Sequence, residues 1–272
     1  MKIILSRKGF DSAAGGCASF IIDNKLISLP IPDNNSHKSY NNVTIFDHNI
    51  GELLKKSNIT PKLKRREIFT CHLDPDIEKG VFGQCAAAAK HLQNQGVTVG
   101  DLFLFFGWFR EFDIENNKFN CLDKKGKHCI FAYLKIGKIL DLNKPQDKKE
   151  ALALYSYHPH LAYNSSYYEK NNLLYIADNT LLEQSNIKGY GRLKYTESTT
   201  LTKPNENKSI WKLPRCFYQN GITISYHNRN KFSALNDNYC QLQSTYRGQE
   251  FVIGEHQAIE NWAIELIINN LI

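Results

Sequence analysis

Hydrophobic residues fall in short runs bounded by glycine, proline and asparagine, which predicts strands and helices in mixed order. Ile3 to Leu5 predicts a short buried strand, followed by the polar, glycine-rich turn Ser6 to Gly16. Phe20 to Ile22 and Leu26 to Leu29 flank Asp23-Asn24-Lys25 as the arms of a hairpin. Residues 33 to 66 predict surface loops around a short helix and end in the basic cluster Lys62, Lys64, Arg65 and Arg66. The alanine-rich segment from Phe82 to Gln95 predicts a helix, with Gly96 as its left-handed cap. Leu102 to Phe106 is apolar throughout and too short for a helix, so it predicts a strand buried on both faces. Cys129 to Leu140 predicts a second long strand, bent at Gly137 and paired with the first. Residues 196 to 210 predict a mobile loop, and Ile222 to Tyr226 alternates with strand period. Ile259, Trp262, Ala263, Leu266 and Ile267 recur at helical spacing.

Composition narrows the class without naming a chemistry. The 272 residues are 42% hydrophobic and 22% charged, which excludes disorder, collagen and coiled coil. No linker or internal repeat divides the chain, so a single α+β domain over residues 1–272 is expected. The formal charge of +7 is basic without being polycationic. The first residues lack the apolar run of roughly 7–15 of a signal peptide, and no stretch approaches the roughly 20 apolar residues of a membrane span. A soluble protein with no membrane partner is therefore expected. Seven cysteines without a repeated short spacing predict reduced thiols in a cytoplasm. Cys121, His128 and Cys129, and Cys71 with His72, lack the C-x2-C spacing of zinc sites, so neither a metal nor any other cofactor is expected.

Two resemblances sharpen the reading. A helix, the Gly100-Asp101 turn, an aromatic strand, a variable insert and a strand ending in Ile136-Gly137-Lys138-Ile139 together resemble the small β-barrel of the PUA, ASCH and EVE group over about residues 83–140. That resemblance implies a mixed, barrel-like sheet with flanking helices and a concave surface for RNA or a modified base. A second spans nearly the whole chain. Leu5 to Ser12, Ser28-Leu29-Pro30-Ile31-Pro32, His72-Leu73-Asp74-Pro75-Asp76, Gly83-Gln84, Gly100 to Arg110, His158-Pro159-His160 and Arg247-Gly248-Gln249-Glu250-Phe251 resemble the third nucleotide-modification-associated domain family. It implies a setting in which phage and bacteria handle hypermodified DNA bases, and DNA as the partner.

The same segments hold the candidate chemistry. A protein acting on a base within duplex DNA must turn it out of the stack into a pocket with polar and aromatic walls. Trp108 and Phe109 could stack on such a base, although aromatics at a strand end equally suit a core. Arg110, Arg7 and Lys8 could hold a phosphate or sugar substituent, and Lys8 could alternatively serve as an amine nucleophile. Hydrolysis of an N-glycosidic bond builds positive charge on the sugar, which a carboxylate stabilises. Asp74, Asp76, Asp11 and Glu250 are the candidate acids, although Asp before Pro also suits a turn and Glu250 could pair with Arg247. Ser12, His72, Gln84, Arg247 and Gln249 complete the expected binding set. His158 and His160 suit a general acid, a metal ligand or a surface turn. Signatures of nucleotide loops, dinucleotide folds, serine hydrolases and zinc deaminases are absent. The leading expectation is a base-flipping DNA glycosylase; a non-catalytic reader and a base- or nucleotide-modifying transferase are the alternatives.

Overall fold

Two long antiparallel strands, Leu102–Glu115 and Lys127–Asp141, carry the architecture in a computed structural model that describes residues 1–57, 70–115, 118–162, 168, 170–246 and 248–272. The first follows the predicted aromatic run, and its side chains alternate between two cores. Leu102, Leu104 and Phe106 enter one apolar cluster, while Phe103, Phe105 and Phe109 enter the other. Each fully buried aromatic of this kind contributes about 1.5–3 kcal/mol. The second strand is irregular at Gly137, as expected. Its register against Leu173–Ala177 shifts between Ile136 and Lys138, and a Cβ at Gly137 would stand 2.7 Å from the Asp178 backbone.

These strands sit within a ten-stranded sheet whose main path runs Glu250–Ile253, Ile3–Arg7, Leu102–Glu115, Lys127–Asp141, Leu173–Ala177 and Val81–Gln84. Only the Ile3–Arg7 pairing with Leu102–Glu115 is parallel along this path. The hairpin Ser19–Ile22 and Lys25–Ile27 pairs with the far end of Leu102–Glu115; Asp23 and Asn24 adopt the positive φ of its tight turn. The sheet curls until its two end strands meet, for Gln84 Nε2 donates to Glu250 Oε1 over 2.6 Å. The fold is thus mixed α+β, a curled half-barrel with flanking helices. Helix Gln257–Asn270 closes one side with Ile259, Ala263, Leu266 and Ile267.

Several expectations shift. The alanine-rich helix starts at Ala86 and ends at Asn94, because Val81–Gln84 is fully buried as a strand against Leu173–Ala177. Ile222–Tyr226 is no strand: Ile224 bridges only to His227 and Ile253, around a turn in which Tyr226 has φ 66°. Residues 33–57 do more than loop over the surface, since Tyr40, Ile50, Leu53 and Leu54 build a third apolar cluster with Phe10 and Phe20. The segment 196–210 is tied down, with Thr196 Oγ1 donating to Asn270 Oδ1 (2.7 Å) and the His128 amide to Thr202 Oγ1 (2.8 Å). The basic cluster Lys62, Lys64, Arg65 and Arg66 lies outside the described residues. Among the described residues, no helix is long and apolar enough to cross a membrane.

Candidate functional site

Where the sheet curls, three chain segments converge on Asp74. Cys71–His72 pairs with Ile31–Pro32, which sets His72 beside Asp33. The end strand Val81–Gln84 turns the Gly83 amide toward Asp74, and it donates to Oδ1 over 2.8 Å. The short helix Pro159–Ala162 brings in His160, with the buried His158 at its entry. Position 83 must be glycine for this to work: a Cβ there would stand 2.5 Å from His160 Cδ2.

Asp74 is thereby enclosed by imidazoles. His158 Nε2 lies 3.3 Å from Oδ1, while His160 Nε2 and His72 Nε2 lie 3.6 and 3.7 Å from Oδ2. Outer partners hold the rings, His72 Nδ1 lying 3.2 Å from Asp33 Oδ2 and His160 Nδ1 2.6 Å from Asn172 Oδ1. The His160 amide donates to His158 Nδ1 over 3.3 Å, so a neutral His158 ring carries its proton on Nε2, toward Asp74. Burial alone would raise the Asp74 pKa, but the surrounding imidazoles, His158 foremost, outweigh it and hold the carboxyl well below its usual range. Burial likewise opposes charge on His72, yet Asp33 and Asp74 together raise its pKa to about 9. On His160 burial prevails and lowers the pKa despite Asp74.

Asp74, His72 and His160 line a cavity of about 670 Å³. Such a volume suits a small organic ligand or one everted nucleotide. Tyr168 forms part of the wall, parallel to the His72 ring at 6.5 Å and edge-on to His160 at 4.8 Å. Arg7, Lys8, Asp11, Gln84 and Gln249 also line it. Most of these already have internal partners. Lys8 Nζ donates to Glu250 Oε1 over 2.8 Å and sits 4.4 Å above the Phe82 ring, while an Arg7 guanidinium nitrogen bonds the Tyr246 and Gly248 carbonyls. Asp11 Oδ1 accepts from the amides of Ala13 (2.7 Å) and Ala14 (2.6 Å), bracing the first loop at the cavity edge.

Other expected site residues lie elsewhere. Phe109 is fully buried in the core and has no face to offer a base. Trp108 and Arg110 form a separate cluster outside the cavity wall, where Lys208 Nζ lies 3.4 Å above the indole and also bonds Ser12 Oγ at 3.5 Å. Asp76 precedes the turn Ile77–Lys79 and is absent from the cavity wall; burial raises its pKa. Glu250 is 1% exposed and stands behind Lys8 and Gln84. Arg247 lies outside the described residues.

The sequence reading missed Asp33, Tyr168 and Asn172. Asp33 directly follows the Pro30-Ile31-Pro32 segment, which was its available signal. Asn172 had none beyond its place before an apolar strand. The reading also expected no metal, yet among the described residues His72, Asp74 and His160 offer three ligand atoms within 4.8 Å of one another. Histidine and aspartate meet here, while the weighed cysteines Cys121 and Cys129 pack in different apolar clusters.

No curated protein and no solved structure matches the chain. A family model does, over residues 2–254, and that interval contains every residue of this cavity. The chain belongs to the nucleotide modification associated domain 3 family.

Proposed function

We propose that the cavity receives a modified nucleobase turned out of DNA and that the chain hydrolyses its N-glycosidic bond, as a defence against phage whose DNA carries hypermodified bases. The observation that carries this reading is the placement of Asp74 on the cavity wall between His72 and His160, where its carboxyl is held well below the usual range. A water held at this cluster attacks the C1′ carbon as the C1′–N bond breaks, and the proton it loses passes by way of Asp74 to solvent. The base leaves with the bonding electrons and is protonated by solvent, and the sugar keeps the new hydroxyl. Negative charge beside C1′ stabilises the positive charge that builds on the ring. Gln249, on the cavity wall, offers an amide suited to reading a base edge.

A protein that only reads a base needs stacking and hydrogen bonding, and gains nothing from a buried carboxylate ringed by three histidines. The test uses purified protein with plain DNA and with DNA containing hydroxymethylated or glucosylated cytosine, scored for abasic sites. Abasic sites on the modified DNA alone are expected. A mobility shift with intact DNA would mark a reader, and a product that needs an added donor would mark a transferase.

A further inference from the structure

Asn172 settles how His160 presents its ring. The amide Nδ2 donates to the His160 carbonyl (3.1 Å), so Oδ1 faces His160 Nδ1 at 2.6 Å. An amide oxygen only accepts, so Nδ1 carries the proton. The Nε2 atom of the neutral ring then turns a lone pair toward Asp74 Oδ2, 3.6 Å away. Two electron-rich atoms facing each other in a buried place are stabilised by a cation between them. The His72 ring is anchored through Nδ1 at Asp33, with Nε2 3.7 Å from the same oxygen; an ion bound there displaces the Nε2 proton.

We propose that His72 Nε2, Asp74 Oδ2 and His160 Nε2 bind one divalent first-row transition-metal ion, whose remaining coordination positions open onto the cavity. Bonds of about 2.0–2.2 Å set tetrahedral ligands about 3.4 Å apart, so the two spacings to Asp74 Oδ2 need to contract by only a few tenths of an ångström, while the ring nitrogens, within 4.8 Å of one another, draw together around the ion. The support behind the ligands is already in place. Asp33 and Asn172 orient the two rings through their outer nitrogens, and the Gly83 amide takes Asp74 Oδ1, leaving Oδ2 for the ion. Two imidazoles and one carboxylate suit zinc, iron(II), cobalt(II) or manganese(II), whereas magnesium and calcium prefer oxygen alone. A bound dication lowers the pKa of its water and supplies hydroxide near neutral pH. The metal site goes beyond the glycosidic reading and does not depend on it.

The test strips the full-length protein with a chelator, then titrates Zn²⁺ by calorimetry and Co²⁺ by visible absorption. About one equivalent of each is expected, with cobalt ligand-field bands that zinc displaces. His72→Ala and His160→Ala abolish this binding, Asn172→Ala weakens it about 10–100-fold, and His48→Ala leaves it unchanged. Circular dichroism checks each variant for folding; the wild-type stoichiometry and the Asn172→Ala titration keep the test decisive if a histidine variant unfolds. No stoichiometric binding by the wild type, or unchanged binding by a folded His72→Ala/His160→Ala double variant, would overturn the site. Metal bound without abasic sites on any DNA would refute the glycosylase and leave the metal site standing.

Discussion

Gln84 and Glu250 occupy the two end strands of the main sheet path, yet their side chains meet at 2.6 Å. The contact closes the curl of the sheet beside the cavity, and Lys8, from a turn after the adjoining strand, completes it with its 2.8 Å bond to the same carboxylate oxygen. Lys8 and Glu250 are 10% and 1% exposed at the side chain, so neither charge is solvated in place of its partner. Removing the amine leaves a buried carboxylate with one amide donor. Lys8→Met should therefore destabilise the fold by about 3–5 kcal/mol, read as a lower urea midpoint. Glu250→Gln should cost less, because it removes the buried negative charge while its amide oxygen still accepts from Lys8 and Gln84. Equal stability of Lys8→Met and wild type would refute this role for the pair.

Asp74 and Asp76 flank one proline but face different surroundings. Only Asp74 lines the cavity, so Asp74→Asn should lower turnover by about 10²–10⁴-fold, the range for loss of a positioned acid–base group, while DNA binding persists. Asp76→Asn should retain most activity. Steady-state assays beside gel shifts separate the two, and comparable loss in both variants would contradict the assignment.

Gly83 lies against the His160 ring, where an added methyl would collide at 2.5 Å. Gly83→Ala must push the imidazole off Asp74 or distort the end strand. A stability loss of about 1–3 kcal/mol is expected, as for overpacked cores, with activity falling further than stability. Thermal melts and kinetics on the same preparation check both.

His128, outside the cavity wall, gives the fold an acid-sensitive element. Trp211 Nε1 donates to its Nδ1 over 3.0 Å, and burial, with Arg7 and Lys208 nearby, pushes its pKa down to about 3. The unfolded chain restores a value of about 6.5 and so binds more protons in the interval between. Stability from this residue is full above about pH 6.5 and declines as pH falls toward 3. Urea midpoints at pH 7.5 and 5 should show the decline in wild type, with a shallower one in His128→Gln.

Much of the fold was legible because its signals are local. Leu102 to Phe106 is apolar at every position, and the structure buries alternate residues in opposite cores. The helix Gln257–Asn270 shows its buried face directly in its spacing. Val81–Gln84 was misread because the alanines that follow extend a helical pattern backwards; pairing with Leu173–Ala177, distant in sequence, decides its conformation. The same long range hid the site. His72, Asp74, Gly83 and His160 each stood in a recognisable short motif, but their convergence depends on the curl of the sheet. Trp108 and Phe109 directly follow the apolar run and suited either stacking on a base or a core. Strand alternation turns Phe109 into the core, while Lys208 covers Trp108. Asp33 and Asn172 act through the histidines they hold, and nothing in linear order marks such a role.

The most direct measurement is a count of abasic sites after wild-type protein and Asp74→Asn meet DNA with hydroxymethylated or glucosylated cytosine, alongside unmodified DNA of the same sequence. The account predicts abasic sites from the wild type on modified DNA only, and none above background from Asp74→Asn. Equal yields from the two proteins, or equal yields on the two DNAs, would contradict it.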